Sequence, residues 1–362
     1  MTAEQAKGTL YEIVISHFLE KNNFIKCQKS NPANKHYKCG VISEKGEIRG
    51  RGTKHQIDFV GVYQKHIPFV YPIRVLVECK FWTNPVDKSF IREYIGVYKD
   101  ISENYFSLYM KKSEFTRFLD IPIIFSANGF DNESEKLAWA QGINLVSHSK
   151  IPLLRDILDF INFLIDNSPS NIYEDKEIFK EFKIAIEHVI KNTIPPTERM
   201  RTVFKNIYRN IERHFIYSGV AIDKFIENLN ALRDKSYQTF LFASTNNGKL
   251  LNLISYDEFP DDLFREANER NCAIYYDQSI EENTQNNLTR VFYISFPEDD
   301  RKFYFEANKS LMRGSFSDLP VRDRIEEKMK YFSSLNIIKE IDGLTRLITL
   351  KVDFSEVLSD ID

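Results

Sequence analysis

Two short stretches, residues 56–60 (QIDFV) and residues 75–80 (VLVECK), decide how the first part of this chain folds. Both are rich in β-favouring residues, so each predicts a strand. Acids interrupt both stretches, at Asp58 and Glu78, and an ionised carboxylate inside a strand is costly unless it is paired or holds a metal. The two acids lie twenty positions apart, with glycine and proline turn signals between them. The sequence therefore predicts a β-hairpin in which the two acids meet.

The spacing within the second stretch adds a cation to this pair of acids. Glu78 and Lys80 are two residues apart, so both side chains leave the same face of a strand, while Cys79 points to the other face and is expected in the core. Two carboxylates and one ammonium group then converge on one spot. That arrangement suits a divalent cation and an activated water molecule.

An Asp followed about twenty residues later by Glu-x-Lys resembles the active-site motif of the PD-(D/E)xK nuclease superfamily, and the flanking residues resemble its Mrr-like restriction endonucleases. The stretches that carry this resemblance are residues 8–12 (GTLYE), 52–58 (GTKHQID), 78–82 (ECKFW), 85–86 (PV), 122–130 (PIIFSANGF) and 141–143 (QGI). The resemblance covers roughly residues 3–150. One departure is that Ile57 stands where the superfamily carries a proline before the first acid.

The resemblance implies an α/β fold for the N-terminal domain, of the restriction-endonuclease-like kind with a central mixed sheet flanked by helices. It also implies Mg²⁺ or Mn²⁺ as the cofactor, because hard carboxylate and carbonyl oxygens suit these ions rather than zinc. The implied catalytic residues are Asp58, Glu78, Lys80, Gln56 and Glu12, and the implied metal ligands are Asp58, Glu78 and the backbone carbonyl of Cys79. Lys80 would orient the attacking water or stabilise charge on the phosphate.

Gln56 and Glu12 enter this set by their positions. Gln56 precedes Asp58 by two residues, so a continuous strand would present both side chains on one face, where Gln56 could bond to the nucleophile or to a phosphate oxygen. Glu12 lies at the edge of the apolar stripe of a helix predicted over residues 3–21, from which a carboxylate could reach over the sheet. The alternative for Glu12 is a solvated helix acid. Trp82, which follows the second strand, could stack on a base or serve as a core or edge aromatic.

The composition is that of a folded chain without an overall preference for polyanions. At 362 residues, with 43% hydrophobic and 14% aromatic residues, the chain is long and apolar enough for two globular domains. Its net charge of −3 means that attraction to phosphate must come from local patches. Four cysteines suit a reducing compartment, and Cys27, His36 and Cys39 match no tight zinc-binding spacing. No secretory leader or membrane-spanning stretch is apparent, so we expect a soluble, cytoplasmic protein without membrane partners.

A cluster of Pro, Ser and Asn at residues 166–171 predicts a linker between two domains. Residues 1–166 form the predicted nuclease domain, and residues 172–362 form a predicted α+β module for target recognition or regulation. The module begins with helices predicted at 174–192, 196–217 and 219–234. Strands are predicted at 238–243, 249–254, 272–276, 290–296 and 301–307, followed by a helix at about 319–333 and a hairpin around residues 342–343.

Basic residues concentrate in two places. Residues 24–54 hold eight lysines and arginines against two acids and lead directly to Asp58. The helix predicted over residues 196–217 carries a basic residue every four positions. The candidate nucleic-acid contacts in these two regions and at the start of the helix after Trp82 are Arg51, Lys54, Lys88, Arg201, Lys205, Arg209 and Arg213. Each group could equally be a solvated surface.

These features favour a metal-dependent endonuclease that hydrolyses phosphodiester bonds in DNA, within a restriction or antiviral (anti-phage) defence system. The expected partners are DNA, a second copy of the chain in a homo-oligomer, and a further protein of the defence system. A structure-specific nuclease of repair or junction resolution is an alternative with the same chemistry. An inactive nuclease-like protein that only binds nucleic acid or a partner is an alternative of another class. Asp58 and Glu78 could also be salt-bridged strand acids in an unrelated α/β protein.

Overall fold

The computed structural model describes residues 1–30, 37–65, 70–104, 117–148, 152–166, 168–191, 239–246, 248–276, 290–307 and 332–353, with isolated helical positions between residues 198 and 234 and at residue 329. Within these ranges the chain forms a mixed α/β N-terminal region and a C-terminal closed β-barrel. The α/β class predicted for the N-terminal region is therefore confirmed.

The N-terminal region is built on a five-stranded mixed sheet. Its strands lie side by side in chain order as β1 (Phe24–Lys26), β4 (Phe59–Tyr63), β5 (Ile73–Lys80), β6 (Leu119–Ser126) and β7 (Asn144–Ser147). A separate two-stranded ribbon, made of β2 (Glu47–Arg49) and β3 (Lys54–Gln56), precedes β4. β1 and β5 run antiparallel to β4, whereas β6 runs parallel to β5 and β7 runs parallel to β6. Most of β5 is buried, as expected for a strand that is covered on both faces.

Helices cover both faces of this sheet. On one face lie α1 (Ala3–Lys21), α4 (Pro152–Asp166), α5 (Ser170–Glu174) and α6 (Lys176–Ile190), which share a hydrophobic core with Val75, Val77 and Cys79 of β5. On the other face lie α2 (Lys88–Ser102) and α3 (Asn132–Ala140), which share a second core with Leu76 and Ile124. The alternation of side chains along β5 thus places Cys79 in the α1 core, as the sequence predicts.

The core beneath α1 continues past the linker predicted at residues 166–171. Phe182 and Ile186 of α6 are fully buried in the same cluster as Leu10 of α1. Because these apolar side chains bury their surface against α1, helices α5 and α6 pack with the predicted nuclease domain. The packing unit of the N-terminal region therefore reaches at least Ile190.

The C-terminal strands close into a seven-stranded barrel. They are β8 (Thr239–Thr245), β9 (Leu250–Ser255), β10 (Glu269–Tyr276), β11 (Arg290–Phe296), β12 (Asp299–Ala307), β13 (Ser334–Ile341) and β14 (Leu344–Val352), in the spatial order β10-β11-β12-β9-β8-β13-β14. Parallel pairing of β10 with β14 closes the ring. The interior is rich in phenylalanine, and Phe264, Phe303 and Phe305 are fully buried.

The barrel corrects the α+β class expected for the C-terminal part, as far as its described residues go. The five predicted strands are confirmed, and so is the closing hairpin, with Asp342 and Gly343 at positive φ in a tight turn. Closure itself was not predicted, because it pairs residues 269–272 with residues 349–352, eighty positions away. The helix predicted at 174–192 is confirmed as α6, which Asp175 caps, whereas α5 begins within the segment predicted as a linker. The helices predicted at 196–217, 219–234 and 319–333 lie almost wholly outside the described residues.

The barrel packs on the N-terminal core through its outer face. The Phe240 ring of β8 stacks on Phe18 of α1 with 4.2 Å between ring centroids. Asn22, which follows α1, donates a hydrogen bond to the carbonyl oxygen of Phe240 at 2.8 Å. The two regions therefore share a packed contact at the C-terminal end of α1.

Two of the four cysteines are paired. Cys27 and Cys39 are joined by a disulfide, which differs from the free thiols expected in a reducing compartment. Cys79 and Cys272 are buried free thiols, and His36 lies outside the described residues. Among the helices that the structure describes, none is long and apolar enough to cross a bilayer.

Candidate active site

The antiparallel pairing of β4 with β5 brings Asp58 opposite Glu78. The ladder pairs Phe59 with Val77, and the two acids occupy the next position in the same register. Regular pairing ends there, and the Asp58 carboxylate accepts a hydrogen bond from the Cys79 amide at 2.8 Å. The charge of Asp58 is also close enough to contribute to the raised pKa of Glu78. The hairpin therefore brings the two acids together, as the sequence predicts.

The backbone before Asp58 is fixed by a glycine from the preceding loop. Ile57 is buried in the core beneath α2, and its amide donates to the carbonyl oxygen of Gly46 at 3.3 Å. Gly46 has a φ of +82°, and a Cβ atom there would lie 2.6 Å from the Ile57 carbonyl oxygen. Both the conformation and the close approach require glycine. Gly46 thus fixes the position of the backbone immediately before Asp58.

Gln56 does not share a strand with Asp58, which corrects the argument that placed both side chains on one face. Gln56 ends β3, pairs with Glu47 in the two-stranded ribbon and is exposed. Strand geometry is interrupted at residues 57–58 before β4 begins, so the period-two alternation does not carry across. A catalytic role for Gln56 stays a prediction that strand geometry no longer supports.

Glu78 is a buried acid held between a like and an opposite charge. Its side chain is 11% exposed and forms an ion pair with Lys80, with 2.8 Å between Oε2 and Nζ. Burial, and then the charge of Asp58, raises the pKa of Glu78 from 4.5 to about 7, although Lys80 opposes the rise. Burial alone would lower the pKa of Lys80, but Glu78 and Asp58 outweigh it and raise that pKa. Near neutral pH the cluster therefore retains a proton that a bound cation would displace.

Glu12 approaches the same cluster from α1. It is partly buried, and burial followed by the charge of Asp58 raises its pKa from 4.5 to about 7. The positive charges of Lys183, Lys26 and Lys80 oppose this rise. Glu12 also lines one cleft together with Cys79 and Lys80. The geometry therefore favours the cluster position of Glu12 over the solvated alternative.

A cleft of about 740 Å³ opens beside these groups. Its walls are the first half of α1, including Glu12, and the segment formed by residues 79–85. Lys80 and Cys79 both line the cleft, and Cys79 also belongs to the hydrophobic core beneath α1. The volume lies within the range of sites that bind ligands in proteins. Glu12 and Lys80 thus face a space that a substrate could occupy, whereas Asp58 and Glu78 are not among the residues that line it.

The carboxylate oxygens of Asp58 and Glu78 fit a hard divalent cation that is bound by few protein ligands. Among the residues that the structure describes, no group of three or more His, Cys, Asp or Glu side chains is arranged to hold a metal ion. Asp58 and Glu78 supply two adjacent carboxylates, and a cation between them would relieve the repulsion that raises the pKa of Glu78. Mg²⁺ is commonly bound through one or two carboxylates together with waters and substrate phosphates. The carbonyl of Cys79 is a further ligand by resemblance alone.

Three of the predicted phosphate contacts lie on exposed surface. Arg51 pairs with Glu103 at 3.1 Å, and Lys88 at the start of α2 pairs with Glu133 at 3.4 Å. Lys54 is exposed in β3. Exposed ion pairs of this kind contribute little to stability, so they offer little resistance to a competing polyanion. Contact of these residues with DNA stays a prediction.

The basic ridge predicted on the helix over residues 196–217 is described in part. Arg209 and Arg213 occupy exposed helical positions, four residues apart on one side of the helix. Arg201 and Lys205 lie outside the described residues. The ridge therefore stays a prediction, with two of its four members at exposed positions.

Two lysines near the acidic cluster were not predicted as site residues. Lys183 lies on α6, beyond the predicted nuclease domain, and Lys26 lies on β1. Both act on the pKa of Glu12 through their charge. Burial, and then Lys183, lowers the pKa of Lys26 itself. No local sequence signal identifies Lys183, because its position depends on α6 packing across the predicted linker.

Comparison with known protein families finds no match, and neither does comparison with curated protein sequences. Among solved structures, the chain is similar to the crystal structure of a protein of unknown function, AF1548. The two chains are 17% identical, the match covers 63% of this chain and 97% of that chain, and the TM-score is 0.34. A likeness at that score supports no conclusion about fold or function.

Proposed function

We propose that this chain is a Mg²⁺-dependent DNA endonuclease similar to the Mrr-like members of the PD-(D/E)xK superfamily, with a restriction-endonuclease-like N-terminal fold. The observation that carries the proposal is the meeting of Asp58, Glu78 and Lys80 on one hairpin, with Lys80 also lining a cleft of about 740 Å³. A buried carboxylate such as Glu78 is costly beside a second, partly buried one such as Asp58, unless a cation or proton separates them. Burial, and then the charge of Asp58, raises the pKa values of Glu78 and Glu12 to about 7. A cation bound by these carboxylates would offset that penalty, which supports the proposal.

In this proposal the protein groups have separate tasks. Asp58 and Glu78 would hold the metal ion, and Mn²⁺ could replace Mg²⁺. Glu12 would reach the ion through water, because the three acids do not form a group that is arranged to hold a metal directly. When bound, the ion lowers the pKa of a water molecule and takes up negative charge on the scissile phosphate. Lys80, held by Glu78 at 2.8 Å, orients the attacking water or stabilises the developing charge as a fixed cation. The Cys79 amide keeps the Asp58 carboxylate in place through its own hydrogen bond of 2.8 Å.

The rest of the molecule would bind and select DNA. Arg51, Lys54 and Lys88 would contact the phosphate backbone, which positions a duplex without reading its sequence. Selection or activation would therefore fall to the barrel and to the helices before it, including Arg209 and Arg213. We propose a restriction or anti-phage defence setting in the cytoplasm, with a homo-oligomer and a further defence protein as partners. A structure-specific repair nuclease would use the same site on a different form of DNA.

Incubation of the purified protein with supercoiled plasmid and with phage DNA tests the proposal. The wild-type protein should nick or linearise DNA with Mg²⁺ or Mn²⁺ and leave it intact in EDTA. Asp58→Ala should be inactive, whereas Glu93→Gln, which changes an exposed acid on α2, should cut normally. Intact DNA under all metal conditions, or full cleavage by Asp58→Ala, would refute the assignment.

A further inference from the structure

A second cavity of about 290 Å³ adjoins the cleft of the candidate active site. The two spaces share the side chains of Glu4, Phe81, Trp82 and Thr83 as walls. The second cavity is completed by α4 and by the turn that follows β6, which contributes Asn128. A ligand that lies in the cleft near Lys80 can therefore extend into the second cavity along residues 81–83, which follow β5.

Trp82 lines both the cleft and the second cavity, and a hydrogen bond to its backbone carbonyl fixes its position. Asn128 donates a hydrogen bond from its side-chain amide to the Trp82 carbonyl oxygen at 2.5 Å. Trp82 is 43% exposed, which excludes the core alternative and leaves an edge aromatic or a base-stacking surface. It meets the Phe90 ring edge to face at 5.6 Å, and the Lys80 ammonium lies 4.6 Å from the centroid of that same ring. Because both groups contact the Phe90 ring, the Trp82 indole lies close to the ammonium group of Lys80 that is proposed to act in catalysis.

The chemistry of the second cavity suits a neutral, planar, polar group rather than a phosphate. Its ionisable lining residues are two acids, Glu4 and Asp159, and two bases, Lys7 and Arg155. Lys7 is buried and already bound to Asp166 at 2.9 Å, so its charge is compensated. An additional phosphate would be opposed by the carboxylates. Amide groups of asparagines in the lining add both hydrogen-bond donors and acceptors.

We propose that this cavity receives one unpaired nucleobase of the strand whose backbone lies in the cleft, and that the base stacks on Trp82. The proposal rests on the proposed nuclease function and names its substrate class, which is DNA that is single-stranded or locally unpaired at the cut. Aromatic rings provide sequence-tolerant stacking surfaces for bases. A base still stacked in a duplex cannot enter such a space without leaving the helix, and that costs least where the DNA is already unpaired.

The chain has two tryptophans, Trp82 and Trp139, and both are exposed, which gives a direct readout with a matched control. In the Trp139→Phe protein the tryptophan emission comes from Trp82 alone. In EDTA, a short oligothymidylate should quench that emission. An oligonucleotide of the same length made only of abasic sites, or a blunt duplex, should quench it far less. Binding of each labelled probe is followed in parallel by fluorescence anisotropy.

Affinity supplies the second arm of the test. Trp82→Ala should weaken binding of the oligothymidylate by roughly 5- to 150-fold, because stacking on one aromatic ring is worth that factor. Trp82→Phe, which keeps a planar ring, should retain most of the affinity, and Trp139→Ala should bind as the wild type does. This series separates loss of stacking from loss of folding.

The outcomes distinguish this inference from the function on which it rests. Unchanged Trp82 emission on a probe that binds, or wild-type affinity in Trp82→Ala, overturns the base pocket. If plasmid is still cleaved with Mg²⁺ in that case, the nuclease assignment stands by itself. A protein that neither binds nor cuts any DNA overturns both.

Discussion

Replacing Asp58 with asparagine should stabilise the metal-free protein while abolishing DNA cleavage. The pKa of Glu78 rises from 4.5 to about 7 on folding, which at about 1.36 kcal/mol per pKa unit is about 3 kcal/mol of stability lost once the group ionises. Burial is the largest cause, so the charge of Asp58 accounts for the smaller part, about 1 kcal/mol. Asparagine keeps an oxygen that can accept the Cys79 amide, so the hydrogen bond seen at 2.8 Å can persist.

The sign of this effect depends on pH. A carboxyl group whose pKa is higher in the folded than in the unfolded state contributes stability below the unfolded value and loses it as pH rises through the folded value. Glu78 and Glu12 both shift from 4.5 to about 7, so the wild type should lose stability across that interval. The Asp58→Asn variant should lose less folding stability than the wild type over the same pH interval. Its thermal midpoint should match that of the wild type near about pH 5 and exceed it by roughly 2–4 °C near about pH 8.

Thermal unfolding in EDTA, followed by circular dichroism at both pH values, measures this difference. Glu93→Gln is the matched control, since it removes one exposed acid from α2 without touching the cluster. Addition of Mg²⁺ should raise the midpoint of the wild type by mass action and should leave Asp58→Asn nearly unchanged. An Asp58→Asn protein that is less stable than the wild type at the higher pH, or a midpoint difference that is independent of pH, would refute the repulsion argument.

Three further outcomes are expected. Lys80→Met should reduce the cleavage rate by at least about 100-fold in a plasmid assay and leave the fold intact by circular dichroism; wild-type rates would remove Lys80 from the mechanism. Asp120→Ala should cost about 3–5 kcal/mol in denaturant unfolding, because it leaves the buried Arg74 without the carboxylate that binds it at 2.6 and 2.8 Å. A cost below about 1 kcal/mol would contradict this estimate. The double variant Arg209→Glu, Arg213→Glu should weaken DNA binding and reduce the salt slope by about 2, and an unchanged slope would make these residues a solvated surface.

The hairpin of Asp58 and Glu78 could be predicted because its signals are local. Strand propensity, the two-residue period and the turn residues between the strands all lie within residues 56–80, and they agree with one another. The same period placed Cys79 in the core, which the structure confirms at 8% exposure. Local consistency of this kind is what allows a short sequence to specify a site.

The parts that were missed depend on distant contacts. The interruption at residues 57–58 follows from Gly46, whose carbonyl oxygen holds the Ile57 amide from eleven positions away. Lys183 lies near Glu12 only because α6 packs on α1, although the sequence predicts a linker at residues 166–171 between them. The exposure of Trp82 is likewise set by neighbouring elements and not by its own sequence. Period and propensity carry no information about such contacts.

Closure of the barrel through β10 and β14 limits how copies of the chain could assemble. A strand that is paired on both sides has no free edge, so within the described residues the seven barrel strands offer little backbone for a second molecule to extend. The five-stranded sheet and the β2–β3 ribbon do have edges, but their edge strands β1, β2, β3 and β7 are only three or four residues long. Short edges resist strand addition. If two copies of the chain associate, as the proposed function expects, they would therefore meet through side-chain contacts between surfaces. Surface substitutions that leave both sheets intact could then change the distance between their candidate sites.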